Sequence, residues 1–546
     1  MDVDVLNLDN TVDIVSQPHY DSPINRLPPE LLSIVFDYTV TSNTFSHSES
    51  TSEALQLAKV CRRWRTISHF TREIWSRLTL DFEYPSCLGC HIPPDSTRGS
   101  FSFFSEGVFR SFQAHIRLSA DASLAISLIG LGYHTPCAET FLSDIAREHP
   151  RTVRNHPLQQ ILSNAGRIQE LHIDCSPDHA EVMHFMRHIQ HKLIKLETLK
   201  LDSRQASINH FLNEMPDIFP DDQRYNLRKV DMTFVTGPHQ YPSLFSSHFI
   251  THLDLETTPS STLWALRSFP SLDTVHFSII TRAEEVHNLR EESPWLSITH
   301  PNLRMLSFGF SDDGFWKGIS LIQNTLKLPC LMHLAYTNRS MIASTFMPEG
   351  AELVQSTVDL LIRSTCESLS LSEEPSPTQR MHILSQAALR SLRISGIALG
   401  GDNLLALLEK TPSLTDLSLR EPYRRIIVRE ETPPLFTADF FGKLRSLSFL
   451  PILRSLTLCI TPDIQSIVKE FAQVLEERGT LLSSACLEIH TIFRLQGINL
   501  PTERLRKLQE KVAFRVIQVG PGYAQKTLLG YVPSMRTGGM KPEAYS

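Results

Sequence analysis

From about Ile168 onward one short phrase recurs, and it constrains the fold of this chain more than any other feature. The phrase is an apolar residue, two others, an apolar anchor, one other and an apolar residue. Its anchors are Leu171, Leu199, Val230, Leu253, Val275, Leu306, Leu334, Leu369, Leu392, Leu417 and Leu456, spaced on average about 28 residues apart, within the range of a solenoid repeat. Five phrases open with a proline at the same offset: Pro270, Pro301, Pro329, Pro412 and Pro451. Proline lacks an N–H and disfavours helix in the residue before it, so it separates a finished helix from a coming strand. In LWALRSFP and LLALLEKTP, leucines stand at the same two positions ahead of the proline, as a short amphipathic helix requires. Longer helical patterns lie at 180–191 and 464–477. Strand, turn and returning helix in regular alternation predict an α/β chain. A parallel sheet should line the concave side of a curved solenoid, with helices on the convex side.

Length agrees with this reading. At 546 residues the chain exceeds the ~50–200 residues of one compact domain, so it must divide or repeat. Its 41% apolar content is enough for a continuous core. The formal charge of −7 and a pI near 6.4 oppose a nucleic-acid binder, which usually carries a basic stripe. Residues 1–22 hold Asp2, Asp4, Asp9, Asp13 and Asp21 without a Lys or Arg, the reverse of a signal peptide's start. They read as an acidic leader, with order beginning at Pro23. The longest apolar run, LAISLIGLG, is about half of what crosses a membrane. A cytoplasmic or nuclear location without membrane attachment is therefore expected.

Nine scattered cysteines, an odd number, do not suit a disulfide framework. Cys87-x-x-Cys90-His91 spells a haem attachment, but that chemistry needs an exported context. Together with His134-x-x-Cys137 it could complete a zinc set, although buried or loop cysteines are the simpler reading. No phosphate-cradling loop, zinc-protease helix or nucleophile elbow is spelled anywhere. Neither a catalytic site nor a cofactor is expected.

The stretch Ile24–Leu78 differs from the repeating body. Pro28 and Pro29 stand where helix starts tolerate proline, and Glu30 complements the positive helix end, which predicts a helix from Pro29 to about Val40. Leu31, Ile34, Val35 and Tyr38 fall on one face of it. Thr41 to Ser50 is polar without periodicity, and Ser50-x-x-Glu53 is a capping-box pattern that should start a second helix. In that helix Leu57, Val60, Cys61, Trp64 and Ile67 continue one apolar face, and Trp75 and Leu78 close the unit. Three short helices are expected, and so small a core is marginal alone, so a partner or the following body should help hold it.

Leu27-Pro28-x-Glu30-Leu31, then Ile34 and Phe36, then Val60-Cys61-x-x-Trp64 and Trp75-x-x-Leu78 strongly resemble the F-box. The resemblance implies docking on the Skp-type adaptor of a Skp–cullin–F-box (SCF) ubiquitin ligase, and through it on cullin. Leu27, Pro28, Glu30, Leu31, Ile34, Val60, Cys61 and Trp64 would then face the adaptor. The polar tract between the helices is longer than the family's loop. The repeats resemble the degenerate leucine-rich repeats of fungal-type F-box proteins. They lack the asparagine that usually follows the phrase, since Ser176 and Arg204 occupy that place.

The expected organisation is a leader (1–22), an F-box (23–78), irregular leading repeats with strand-like LTLDF and HIRLS (79–167), a leucine-rich-repeat solenoid (168–500), and a closing helix over Thr502–Val512 followed by a polar tail (501–546). The function so implied is that of a non-catalytic substrate-recognition subunit binding a protein the sequence does not identify. Two other readings are an F-box scaffold without a ligase, and a leucine-rich-repeat binding or inhibitor protein unconnected with ubiquitin. The basic run Lys59, Arg62, Arg63 and Arg65 reads as a solvated helix face.

Residues at −1, +1 and +3 from each anchor point away from the core, because strand side chains alternate. Early in the series they are Glu170, His172, Asp174, Thr198, Lys200, Asp202, Lys229, Asp231, Thr233, His252, Asp254 and Glu256. From Leu369 onward they become Ser368, Ser370, Ser372, Ser391, Arg393, Ser395, Asp416, Ser418 and Arg420. A substrate face is expected to divide into an acidic half suited to a basic segment (Glu170, Asp174, Asp202, Asp231, Asp254, Glu256) and a serine-rich, mildly basic half (Arg393, Arg420). The bland alternative is a solvated strand face.

Overall fold

The computed structural model describes residues 22–46, 49–82, 105–131, 157–175, 185, 189–203, 226–235, 249–280, 297–310, 316–338, 350–369, 376–397, 399–421, 435–460, 464–490, 513–519 and 525–530. The chain divides into two compact units, Met1–Gly130 with Ser143–Gln169, and Leu131–Leu142 with Glu170–Ser546. The leader, the Cys87, Cys90, His134 and Cys137 set and the expected helix Thr502–Val512 lie outside the described residues.

In the first unit a 3-10 turn (Pro23–Arg26) leads into α1 (Pro29–Thr39), followed by β1 (Asn43–Phe45), β2 (Ser50–Ser52), α2 (Glu53–Val60), α3 (Arg62–Phe70), β3 (Arg77–Asp81), α4 (Glu106–Leu118), β4 (Leu124–Leu131) and α5 (Pro157–Ser163). Leu32, Phe36, Val40, Ala54, Ala58, Ile67, Ile74 and Trp75 form one buried cluster. Trp64 packs on it with its ring 4.9 Å from that of Phe36. Trp75 donates its indole N–H to the Ser68 carbonyl at 2.7 Å, so the largest buried ring leaves no polar atom unpaired.

Four local expectations are corrected here. The polar tract is not a loop. β1 pairs antiparallel with β2 and parallel with β3, and β3 pairs parallel with β4, so the extra residues form paired strands. The helix cap is Ser52, which accepts from the Leu55 N–H, while Ser50 lies in β2. Glu53 turns its carboxylate onto the Thr41 N–H at 2.6 Å instead of closing a capping box. The single helix expected across Cys61 is two helices. Cys61 is extended at φ −160° and caps α3 through its sulfur, and the chain turns there so that α2 and α3 pack on each other. HIRLS is the end of α4, whose apolar residues Val108, Phe109, Phe112 and Ile116 are buried at helical spacing. The neighbouring strand is instead LAISLIGL.

The second unit contains β5 (Ile168–Cys175), β6 (Thr198–Ser203), β7 (Lys229–Val235), β8 (His252–Thr257), α6 (Pro259–Ser268), β9 (Thr274–Ile279), β10 (Ile298–Thr299), β11 (Met305–Phe310), α7 (Trp316–Thr325), β12 (Leu326–Lys327) and β13 (His333–Asn338). It continues with α8 (Gly350–Ser368), α9 (Pro377–Ser385), β14 (Ser391–Ser395), α10 (Gly401–Glu409), β15 (Asp416–Arg420), α11 (Ala438–Arg445), β16 (Ser455–Ile460), α12 (Ile464–Arg478), β17 (Ser484–His490), β18 (Ala513–Val519) and β19 (Gln525–Gly530). β5, β6, β7, β8, β9, β11, β13, β14, β15, β16, β17 and β18 pair in that order, all parallel. β19 closes antiparallel on β18, and β10 and β12 make a separate two-stranded sheet. Among the described residues no helix is long and apolar enough to cross a membrane.

The register explains the phrase. Leu171, Leu199, Val230, Leu253, Val275, Leu306, Leu334, Leu392, Leu417 and Leu456 stand directly opposite one another in turn, and all are buried. Each such side chain contributes about 1.5–3 kcal/mol by leaving water, so a slip by one residue would turn the whole row outward. A second regularity lies two residues before the anchors. There the Glu197 carbonyl accepts the N–H groups of both Arg228 and Lys229, and the carbonyls of Arg228, Thr251, Asp273, Arg304, Met332, Arg390, Thr415 and Arg454 each accept two in the same way.

Leu369 is the anchor that fails. It follows the 19-residue α8, and its N–H bonds to the Thr365 carbonyl. The helical spacing of the preceding residues overrides the phrase, and β13 pairs directly with β14. β17 continues the sheet where the anchor position is Ala485, opposite Leu456, too small to be noticed as an anchor. β18 and β19 lie in the region read as a closing helix and polar tail.

Two large polar side chains buried in the second unit find hydrogen-bond partners. Arg478 is fully buried; its guanidinium donates to the carbonyls of Ser446, Phe449 and, at 3.0 Å, Leu450. It pins a turn in which Leu450 takes φ 48°. The buried Tyr336 hydroxyl meets Thr357 at 2.8 Å and accepts from Gln323.

Candidate functional site

Helix α1 has two apolar faces. Leu32 and Phe36 point into the core cluster, whereas Leu31, Ile34, Val35 and Tyr38 point outward; Leu31 is 48%, Ile34 52% and Tyr38 85% exposed. Val60, at the end of α2, is 60% exposed. Large apolar residues at helical spacing are thus left uncovered by their own domain, a feature enriched at interaction surfaces.

Of the sequence-derived adaptor residues, Pro28, Glu30, Leu31, Ile34 and Val60 are exposed, and Leu27, Cys61 and Trp64 are half-buried. Leu27 packs against the core, and its carbonyl accepts from Arg63 at 2.5 Å. That bond holds the start of α3 against the entrance to α1. Pro28 occupies the N-cap of α1, with Pro29 and Glu30 in the first turn, as the helix-start chemistry requires. Trp64 contributes its ring to Phe36 and its N–H to the Cys61 sulfur at 3.4 Å.

The F-box-like family profile matches residues 24–81. This part of the chain is an F-box-like domain. The match ends at the last residue of β3, so the β1–β3 pairing lies within the F-box-like region. No curated protein matches the chain.

The F-box-like helices are supported from beyond their own boundary by α4. The Ser52 hydroxyl lies 2.7 Å from His115 Nε2 and 2.8 Å from Asn43 Oδ1. The Asn43 amide donates to the carbonyls of Ile74 at 2.7 Å and Arg77 at 3.1 Å. Burial pushes the His115 pKa down to about 4 against the weaker opposing effect of its bond to the Ser111 carbonyl, so the ring is neutral near pH 7. Nothing in the periodicity of the sequence singles out this chain of contacts.

The sheet face of the second unit is less simple than an acidic half and a basic half. Glu170 is exposed, but Asp174 is only 5% exposed and is not offered to a partner. Lys200 bridges Asp202 at 3.2 Å and Asp231 at 3.5 Å, and His172 Nε2 meets Asp202 at 3.0 Å. Burial opposes ionisation of Asp202, yet the His172 bond and the Lys200 charge prevail and lower its pKa. Asp231 goes the other way. Burial and the charge of Asp254, directly opposite on β8, raise its pKa against the pull of Lys200.

Asp254 and Glu256 are half-buried on the same face, and Arg393 is exposed. Arg420 reaches Glu488 at 3.2 Å and the Cys459 sulfur at 3.3 Å. Ser368 belongs to α8 and not to a strand, while Ser370 and Ser372 lie outside the described residues. Burial raises the Cys459 thiol to about 12 despite Arg420, so it is no nucleophile at neutral pH. Among the described residues no group of three His, Cys, Asp or Glu side chains is placed to hold a metal.

Proposed function

We propose that this chain is the substrate-receptor subunit of an SCF ubiquitin ligase. Its F-box-like domain docks the Skp-type adaptor through the outward stripe of α1 and Val60, and the adaptor connects it to cullin. The second unit is read as an irregular leucine-rich-repeat solenoid whose strand face holds a protein target. The uncovered apolar face of α1, set back to back with a complete core face, carries the docking reading. Support for the repeat reading comes from the in-register anchors and the carbonyl that accepts two N–H groups once per strand. Such a protein contributes positioning, converting a bimolecular transfer into a local one, and leaves the bond chemistry to other subunits.

Co-purification of the tagged chain with a Skp-type adaptor and a cullin, followed by identification of the bound proteins, tests the proposal. Adaptor, cullin and a ubiquitylated protein found together support it. Adaptor without cullin would leave the scaffold reading, and target without adaptor would leave the repeat-protein reading.

A further inference from the structure

We propose that the acidic segment 1–21 is an intramolecular competitor of the adaptor, covering the outward face of the F-box-like domain until the adaptor displaces it. The inference rests on the docking reading above, because it gives that surface a second occupant.

Two properties of the surface point to this occupant. The stripe of Leu31, Ile34 and Tyr38 is apolar and uncovered, and the cations Arg26, Lys59 and Arg62 adjoin Leu27, Val60 and Arg63 in the chain, against one exposed acid, Glu30, in the first turn of α1. Arg26, Lys59 and Arg62 are exposed and make no ion pair among the described residues. Arg63 bonds the Leu27 carbonyl, which holds this basic run at the N-terminal end of α1, beside Val60. An occupant that matches must combine acidic with apolar side chains. Residues 1–21 hold Asp2, Asp4, Asp9, Asp13 and Asp21, no Lys or Arg, and interleaved apolar residues such as Val5, Leu8 and Ile14. Complementary sign across an interface governs encounter and register more than raw affinity.

Tethering makes weak complementarity sufficient. The segment joins the described chain at Ser22, one residue before the turn that leads into α1. An extended chain covers up to ~3.3 Å per residue, so about 20 residues reach well beyond an 11-residue helix of roughly 16 Å. A short tether holds its ligand at an effective concentration in the millimolar range. A segment whose free affinity is itself only millimolar therefore occupies the face about half of the time. The adaptor's apparent affinity falls by the fraction of time the face is covered.

The test compares the full chain with a full-length variant carrying D2N, D4N, D9N, D13N and D21N. Adaptor affinity is measured by titration calorimetry at low and high salt. The expected result is binding at least about twofold tighter for the variant at low salt, with the difference shrinking as salt screens the charges. Equal affinities at both salt concentrations overturn the competitor proposal.

A second readout does not need the adaptor. Carbodiimide treatment of the free chain couples adjacent carboxylate and amine groups, and peptide mass spectrometry should find a Lys59 cross-link to an aspartate of the segment. The cross-link should disappear in K59R and diminish when adaptor is added. Absence of that cross-link in the parent overturns the proposal whatever the affinities. Should neither chain bind the adaptor, the docking reading fails and the competitor role with it, even if the cross-link shows the segment on the face.

Discussion

Ile34→Asp separates the binding face of α1 from its folding face. Ile34 is about half exposed in the free chain. Docking would bury the rest of its side chain, a contribution of about 1 kcal/mol out of the 1.5–3 kcal/mol of a fully buried aliphatic residue. Aspartate removes that gain and forces a carboxylate into an apolar contact, at a further cost of about 2 kcal/mol or more. A combined loss near 3 kcal/mol weakens adaptor binding about a hundredfold or more. Folding should change by less than about 1 kcal/mol, because a half-exposed position on the face opposite Leu32 and Phe36 supports little of the core. Phe36→Ala is the mirror experiment, costing about 3–5 kcal/mol of stability by opening a cavity against Trp64. Titration calorimetry with the adaptor and thermal unfolding of both variants supply the readouts. Undiminished adaptor affinity in a folded Ile34→Asp protein would refute the assignment of the two faces.

Three further outcomes follow from the geometry. His115 titrates near 4 when folded and near 6.5 when unfolded, so the unfolded chain binds more protons between those values. Stability is therefore lost as pH falls from 6.5 towards 4, by up to about 3 kcal/mol from this group. In His115→Gln the unfolding midpoint should be less sensitive to pH over that window, and an unchanged slope contradicts the argument. Arg478→Lys should destabilise the second unit by about 2–4 kcal/mol, because one ammonium cannot reproduce the guanidinium fork on three carbonyls. Urea unfolding measures this, with parental stability as the contrary result. Reversing charge at Asp231 and Asp254 together should abolish capture of a basic target segment in a pull-down, while unimpaired capture would return the sheet face to a solvated surface.

Much of the second unit could be read before its structure because a parallel sheet repeats one physical requirement on every strand. The anchor must be apolar and buried, so ten of the eleven anchors named from sequence fall in one register row. Leu369 misled because its neighbours in sequence satisfy the strand phrase, whereas its own N–H bonds back to Thr365 at the end of a 19-residue helix, and length favours the helix. Ala485 went unseen because its neighbours, not its own size, place it in the row. On the sheet face the sequence showed which residues alternate outward. It could not show that Lys200 would bridge Asp202 and Asp231, or that Asp174 would be buried.

The F-box-like region divides in the same way. Its helix starts, its tryptophans and the run of positions from Leu27 to Leu78 are local features, and local chemistry determined them: proline at N1, a capping hydroxyl and apolar residues at helical spacing. Which of two apolar faces on α1 turned inward was decided only when Phe36 met Trp64 and closed the core, leaving Ile34 and Tyr38 outside. The hairpin of β1 and β2 needed β3, more than 20 residues further on, to give its polar tract a place in a sheet. The neutral state of His115 likewise required burial against Phe45 and Trp75, which come from other elements. Such contacts between distant residues carry no periodic signal, so tertiary structure alone decided them.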